Sequence, residues 1–167
     1  MKDIANRFDS VDTSITRWMA RYGLLLLRIS LGVVFLWFGA LKFFPGLSPA
    51  QDLAARTIEQ LTFGRVHSTV SVPLLAGWEC LIGIGLLFGI FMRATLFLLA
   101  VQMAGTLMPL VLFPNEVFTR LPYAPTLEGQ YIIKNAVLIS AAIVLGATVR
   151  GGRLTSEKSA APQPPSS

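Results

Sequence analysis

Four long apolar blocks interrupt an otherwise polar chain and decide what it can fold into. They run over about residues 22–44, 70–91, 94–113 and 131–149. At 1.5 Å per residue each reaches roughly 28–35 Å, the thickness of a bilayer's hydrocarbon core. Lipid offers no partner to an open N–H or C=O, so these blocks are expected to be helices that satisfy their own backbones. Met92 and Arg93 alone separate the second block from the third, which predicts a tight antiparallel hairpin. The composition agrees: 53% of the 167 residues are hydrophobic and 14% are charged, against about 25% charged in a soluble domain. A soluble enzyme and a disulfide-stapled secreted domain are set aside on these grounds.

Four crossings return both termini to one side. That side carries Lys2, Arg7, Arg17, Arg21, Arg93, Arg150, Arg153 and Lys158, and the opposite side only Arg56, Arg65 and Arg120. Arg28, Lys42 and Lys134 lie within or at the edges of spans. Basic residues accumulate on the cytoplasmic side of membrane proteins. The sequence therefore predicts an all-α membrane protein, a four-transmembrane-helix bundle with N and C termini cytoplasmic, multi-pass in the cell's plasma (inner) membrane. The formal charge of +5 does not point to nucleic acid, because topology and anionic lipid head groups account for basic residues at helix ends. The first block is also too long for the apolar region of about 7–15 residues in a signal peptide.

Three regions follow: a polar cytoplasmic segment over 1–21 with Trp18 as an interfacial anchor, the four-helix domain over 22–149, and a cytoplasmic tail over 150–167. The tail is rich in Gly, Ser, Ala and Pro and is expected to be disordered for want of apolar residues to bury. In the first outer connection, Ser48, Pro49 and Gln51 have the form of an N-cap, a proline at N1 and a capping-box glutamine. Ala50, Leu53, Ala54, Ile58 and Leu61 then share one helical face. Asp52 and Arg56 form an i,i+4 acid–base pair, and Gly64 ends the element. A short amphipathic helix is predicted, lying on the outer interface or over the bundle as a lid. The second outer connection, Pro114 to Gln130, contains three prolines and is expected to be extended or turned rather than helical.

One cysteine, Cys80, and one histidine, His67, exclude an intrachain disulfide, a bis-histidine haem and a four-cysteine iron–sulfur cluster held by this chain alone. No metal site is expected. Any electrons passing nearby must be carried by a bound organic cofactor or by a partner. Cys80 reads as an inert packing cysteine and Arg28 as a side chain that snorkels to the inner head groups.

Ionisable groups inside a membrane are costly, so they are functional candidates by default. Lys42, Glu79 and Lys134 stand out, all in the outer half of the bundle. Glu128, Gln130 and Asn135 can join them there, and Gln102 adds a deeper polar group. Three readings fit: an ion-paired latch with Glu79 bridging Lys42 and Lys134, a polar pocket for a quinone head group or small anion, and a proton relay. None of these residues is identified as catalytic. The small-residue steps Gly32/Gly39, Gly85/Gly89 and Ala142/Gly146 allow close helix contact, within the bundle or in a homo-oligomer.

Three stretches carry a family resemblance. They are Leu27–Gly32 leading to Trp37-Phe38-Gly39-Ala40-Leu41-Lys42-Phe43, then Trp78-Glu79-Cys80-Leu81-Ile82-Gly83, and the run from Pro125 through Glu128-Gly129-Gln130 to Lys134-Asn135. With them the chain resembles the DoxX-like family of small four-helix membrane proteins. The resemblance implies a four-helix fold and association with quinone-linked redox systems, since the family takes its name from a small subunit of a terminal quinol oxidase. It also has a relative in thiosulfate:quinone oxidoreduction, and other relatives suggest roles in oxidative stress or membrane-protein assembly. The leading expectation is an accessory subunit beside a redox-active partner, with a quinone as the candidate cofactor. The rivals are a non-enzymatic assembly or stability partner for other membrane proteins, and a small-molecule transporter. Transport is the least supported, because the inner half offers little polarity beyond Gln102 and Thr106.

Overall fold

A computed structural model describes residues 2–44, 46–48 and 51–152, with side chains from residue 11 onward. The elements in order are α1 (Lys2–Leu41), α2 (Gln51–Leu61), α3 (Ser68–Phe88), α4 (Met92–Leu107), α5 (Pro109–Leu112), α6 (Pro114–Val117), β1 (Phe118–Arg120), β2 (Ala124–Pro125) and α7 (Leu127–Thr148). Four stretches are long and apolar enough to cross a membrane: Val11–Leu41, Ser68–Phe88, Met92–Leu112 and Leu127–Thr148. The protein is a mostly helical, four-span membrane protein.

α1 lies along α3, α3 against α4, α4 against α7, and α7 closes the ring onto α1. Leu31 and Phe35, Ile82 and Leu86, Leu99 and Met103, and Ala141 and Leu145 meet in the core, two from each long helix. The outward faces are just as apolar. Trp37, Leu81, Phe97 and Val137 are all exposed, as expected of surfaces that acyl chains cover. Apolar burial therefore cannot hold this bundle together as it does a soluble one, and close packing must do more of the work.

Glycine makes that packing tight between α1 and α3. A Cβ on Gly83 would lie 2.5 Å from the backbone nitrogen of Leu36, and one on Gly39 would lie 2.9 Å from both Cys80 N and Glu79 Cβ. At each contact one helix carries no side chain, which lets its backbone lie against the other. The α3–α4 hairpin closes through Gly89 in the left-handed region (φ 69°), whose N–H is donated to Gly85 O. The Arg28 guanidinium packs against Gly89, so its reach toward the inner end finishes on this turn. Gly85 faces Thr95 and Gly32 faces Leu87, so these small residues are used inside the bundle.

The boundaries differ from expectation in four places. α1 begins at Lys2 rather than near Tyr22, because nothing between Lys2 and Arg21 is Gly or Pro and polar residues alone do not stop a helix. The third span breaks at Met108. Pro109 has no N–H to donate to Gly105 O, and Met108 N–H donates to it instead. Pro114 opens the short α6 instead of excluding helix, as proline at N1 can, and β1 pairs antiparallel with β2. The last helix starts at Leu127, four residues before Tyr131, because Thr126 caps it by accepting from Gly129 N–H. α2 forms as expected and ends at Leu61, and Gly64 (φ 76°) closes the turn after it by donating its N–H to Glu59 O. Pro49 and Ala50 of its proposed cap and face, and the tail from residue 153, lie outside the described residues.

Candidate functional site

Glu79 sits one helical turn before Gly83 on α3, and Lys42 follows Gly39 by three residues at the end of α1. The close approach of the two helices therefore brings a carboxylate and an ammonium together. Lys42 Nζ donates to Glu79 Oε2 at 2.6 Å, and Gln102 Nε2 on α4 donates to Glu79 Oε1 at 2.8 Å. Lys42 also reaches Phe38 O at 3.4 Å. The lysine and glutamate side chains are 13% and 9% exposed, so the pair is shielded from solvent and both carboxylate oxygens are engaged. A charge-assisted bond of this length is among the stronger hydrogen bonds a protein makes.

This cluster forms part of the wall of a cavity of about 700 Å³ between α1, α2, α3, α4 and α7, within the range of small-molecule sites. Most of the wall is apolar, including Val34, Phe35, Phe38, Leu74, Leu75, Trp78, Val101, Met103 and Leu138. Of its other polar residues, Thr57 and Thr106 bond their own helices, donating to Leu53 O and Met103 O. Ser71 is 1% exposed and its Oγ has no hydrogen-bond partner. Lys134 and Asn135 of α7 line the cavity as well.

The expected latch differs in one respect. Glu79 is bridged between Lys42 and Gln102, while Lys134 makes no ion pair among the described residues and lies over the Tyr131 ring at 5.9 Å. Glu128 and Gln130 are exposed and are not among the residues lining the cavity. With α7 starting at Leu127, Glu128 falls in its first turn. Cys80 packs against α1, with Sγ 3.9 Å from Leu36 O.

α2 covers the cavity at the loop end, contributing Leu53, Ala54, Thr57, Ile58 and Leu61 to the wall. Arg56 does not pair with Asp52 as expected. Its guanidinium makes a bidentate bridge to Glu116 of α6, at 2.7 and 2.5 Å, and lies over the Phe113 ring at 5.3 Å. The bridge holds the Glu116 carboxyl below its ordinary value of 4.5, chiefly through the hydrogen bonds from Arg56. A lowered carboxyl contributes stability above its ordinary value and loses it as pH falls through the lowered one. Amide protection in α2, corrected for the intrinsic pH dependence of exchange, is therefore expected to fall as pH drops below about 4.5, and Glu116→Gln is expected to remove that step. A step of unchanged size in the variant would assign it elsewhere.

Ser71, Glu116 and Thr57 do not stand out in the sequence. An uncharged serine near a helix start carries no signal, and Glu116 lies 60 residues from Arg56. Gln102 does carry one. It and Glu79 stand eleven residues either side of the Ile90–Phe91 turn, so a tight hairpin sets them at one depth.

The model of the DoxX family matches residues 23–113, more than half of the chain. The chain belongs to the DoxX family. The matched region holds Lys42, Glu79 and Gln102 and stops before α7, so Lys134 and Asn135 lie beyond it. Comparison with curated proteins and with solved structures found no match.

Proposed function

We propose that this DoxX-family protein is an accessory subunit of a quinone-linked membrane redox system, contributing a chamber for a quinone head group. The supporting observation is the juxtaposition of a largely apolar cavity with a fixed polar cluster, Lys42–Glu79–Gln102, at its wall. Amphipathic ligands of the bilayer need such a site, with apolar walls for the body and a few placed polar groups for orientation.

The residues present fit that ligand. The buried Ser71 hydroxyl lacks a partner, and a buried unsatisfied hydroxyl is a costly arrangement that a ligand carbonyl would relieve. Lys42, Ser71, Lys134 and Asn135 can donate to carbonyl oxygens. Glu79 holds the Lys42 ammonium in place, and Gln102 holds Glu79. A bound quinone would supply two-electron, two-proton chemistry. The chain supplies orientation, hydrogen bonds and a water-poor wall. With one cysteine and one histidine, it cannot form a bis-histidine haem site or a four-cysteine iron–sulfur site of its own, so electron entry is assigned to a partner subunit.

The full chain in lipid nanodiscs is expected to bind a quinone analogue such as decylubiquinone. Glu79→Gln should weaken that binding about tenfold, because an amide no longer fixes Lys42 by charge. Absence of binding by the native protein would overturn the proposal. Purification in mild detergent should also bring down a partner that carries haem, flavin or metal. Recovery of this chain with other membrane proteins but no redox protein would favour the assembly-partner reading instead.

A further inference from the structure

The chamber carries an excess positive charge that a neutral quinone does not use. Three charged side chains line it: Lys42, Glu79 and Lys134. Glu79 and Lys42 neutralise each other at 2.6 Å, and Gln102 takes the other carboxylate oxygen. Lys134 is exposed, lies over the Tyr131 ring at 5.9 Å and makes no ion pair among the described residues. One net positive charge thus borders a largely apolar cavity, where it favours an anion over a neutral ligand.

Two further features point the same way. Ser71 lies in the first turn of α3, buried on the cavity wall with its Oγ unpartnered. The N-terminal turn of a helix carries the positive end of its dipole, which favours a negative group beside it. The shortage is therefore of an acceptor, and the charge balance asks for a negative one. The volume, about 700 Å³, suits a ligand of moderate size with a single apolar chain.

We infer that the chamber also binds a long-chain carboxylate, a free fatty acid, with its head between Ser71 and Lys134 and its chain along the apolar wall, in competition with the quinone. The inference rests on the reading of the cavity as a ligand site and adds a second ligand class that regulates its occupancy. Carbonyl and carboxylate oxygens use the same donors, and charge separates the two.

The test measures binding of palmitate, hexadecanol and decylubiquinone to the full chain in nanodiscs at pH 8. Palmitate is expected to bind at least about tenfold more tightly than hexadecanol and to displace the quinone analogue. Lys134→Met should bring the two C16 ligands to within about twofold of each other, with palmitate losing far more affinity than hexadecanol. Ser71→Ala, which removes an unpaired hydroxyl without adding bulk, should weaken palmitate severalfold without lowering the melting temperature. Equal binding of palmitate and hexadecanol by the native chain, or an acid preference that survives Lys134→Met, would overturn the inference. If decylubiquinone binds and the acid preference is absent, only this inference falls. If none of the three ligands binds, the ligand-site reading falls with it.

Discussion

Lys42→Met is expected to destabilise the bundle by about 3–5 kcal/mol, the cost of leaving one member of a buried ion pair uncompensated. In the native chain, Glu79 takes its countercharge from Lys42 at 2.6 Å and a hydrogen bond from Gln102 at 2.8 Å. Removing the ammonium leaves Glu79 with one neutral donor in a low-dielectric wall. Replacing the whole cluster, Lys42→Met with Glu79→Leu and Gln102→Leu, should recover most of the loss, because no polar group is then left unsatisfied. Denaturation in a fixed lipid–detergent mixture would measure both. The comparison also divides the two roles the cluster can have. A pure latch predicts that the apolar triple variant folds and has lost nothing else. The ligand-site reading predicts that it folds and no longer binds a quinone analogue. Should Lys42→Met cost no more than Lys134→Met, whose lysine is exposed and unpaired among the described residues, the buried pair would not be contributing as its geometry implies.

The same cluster shows which parts of this protein can be read from its sequence. Charges inside apolar blocks are conspicuous because burial penalises them, so Lys42, Glu79 and Lys134 stand out from the residue pattern alone. Their partners are harder to assign. Depth along a span follows from counting residues, but which residues at that depth border a cavity depends on how the neighbouring helices pack. Glu128 and Gln130, in the first turn of α7, are exposed and do not line the cavity, while Lys134 and Asn135, one turn further along, border it. The four spans are legible because bilayer thickness imposes their length. The polar end of α1 is not, since polarity argues against lipid contact and says nothing about helix formation. The Arg56–Glu116 bridge joins α2 to α6 across 60 residues, a contact that no local spacing rule could prefer over the nearby Asp52. Ser71 is a different case: only burial without a partner makes it informative, and burial is a property of the packed structure.

Two glycines on α3 should respond in opposite directions to the same added methyl group. Gly77 has nothing within 4 Å of the position its Cβ would take, so Gly77→Ala adds helix propensity at no steric cost. It should stabilise the bundle by up to about 1 kcal/mol. Gly83 meets Leu36 N at 2.5 Å and Leu36 Cα at 2.8 Å, and these are backbone atoms of a long helix that cannot turn aside as a flexible side chain can. Gly83→Ala must therefore separate α1 from α3, at about 1–3 kcal/mol after the propensity gain is set against it. That separation acts on the site as well. Gly83 is one turn from Glu79, and Gly39, against which Glu79 Cβ packs, is three residues from Lys42. Moving the helices apart lengthens the Lys42–Glu79 contact, so Gly83→Ala and Lys42→Met should be less than additive in a double-mutant cycle, since each removes part of the same interaction. Additive losses would mean that the glycine contact and the ion pair are independent, and that the close approach of α1 and α3 does not position the charges. A Gly83→Ala variant as stable as the native chain would go further, showing that the two backbones are not packed in contact at Leu36.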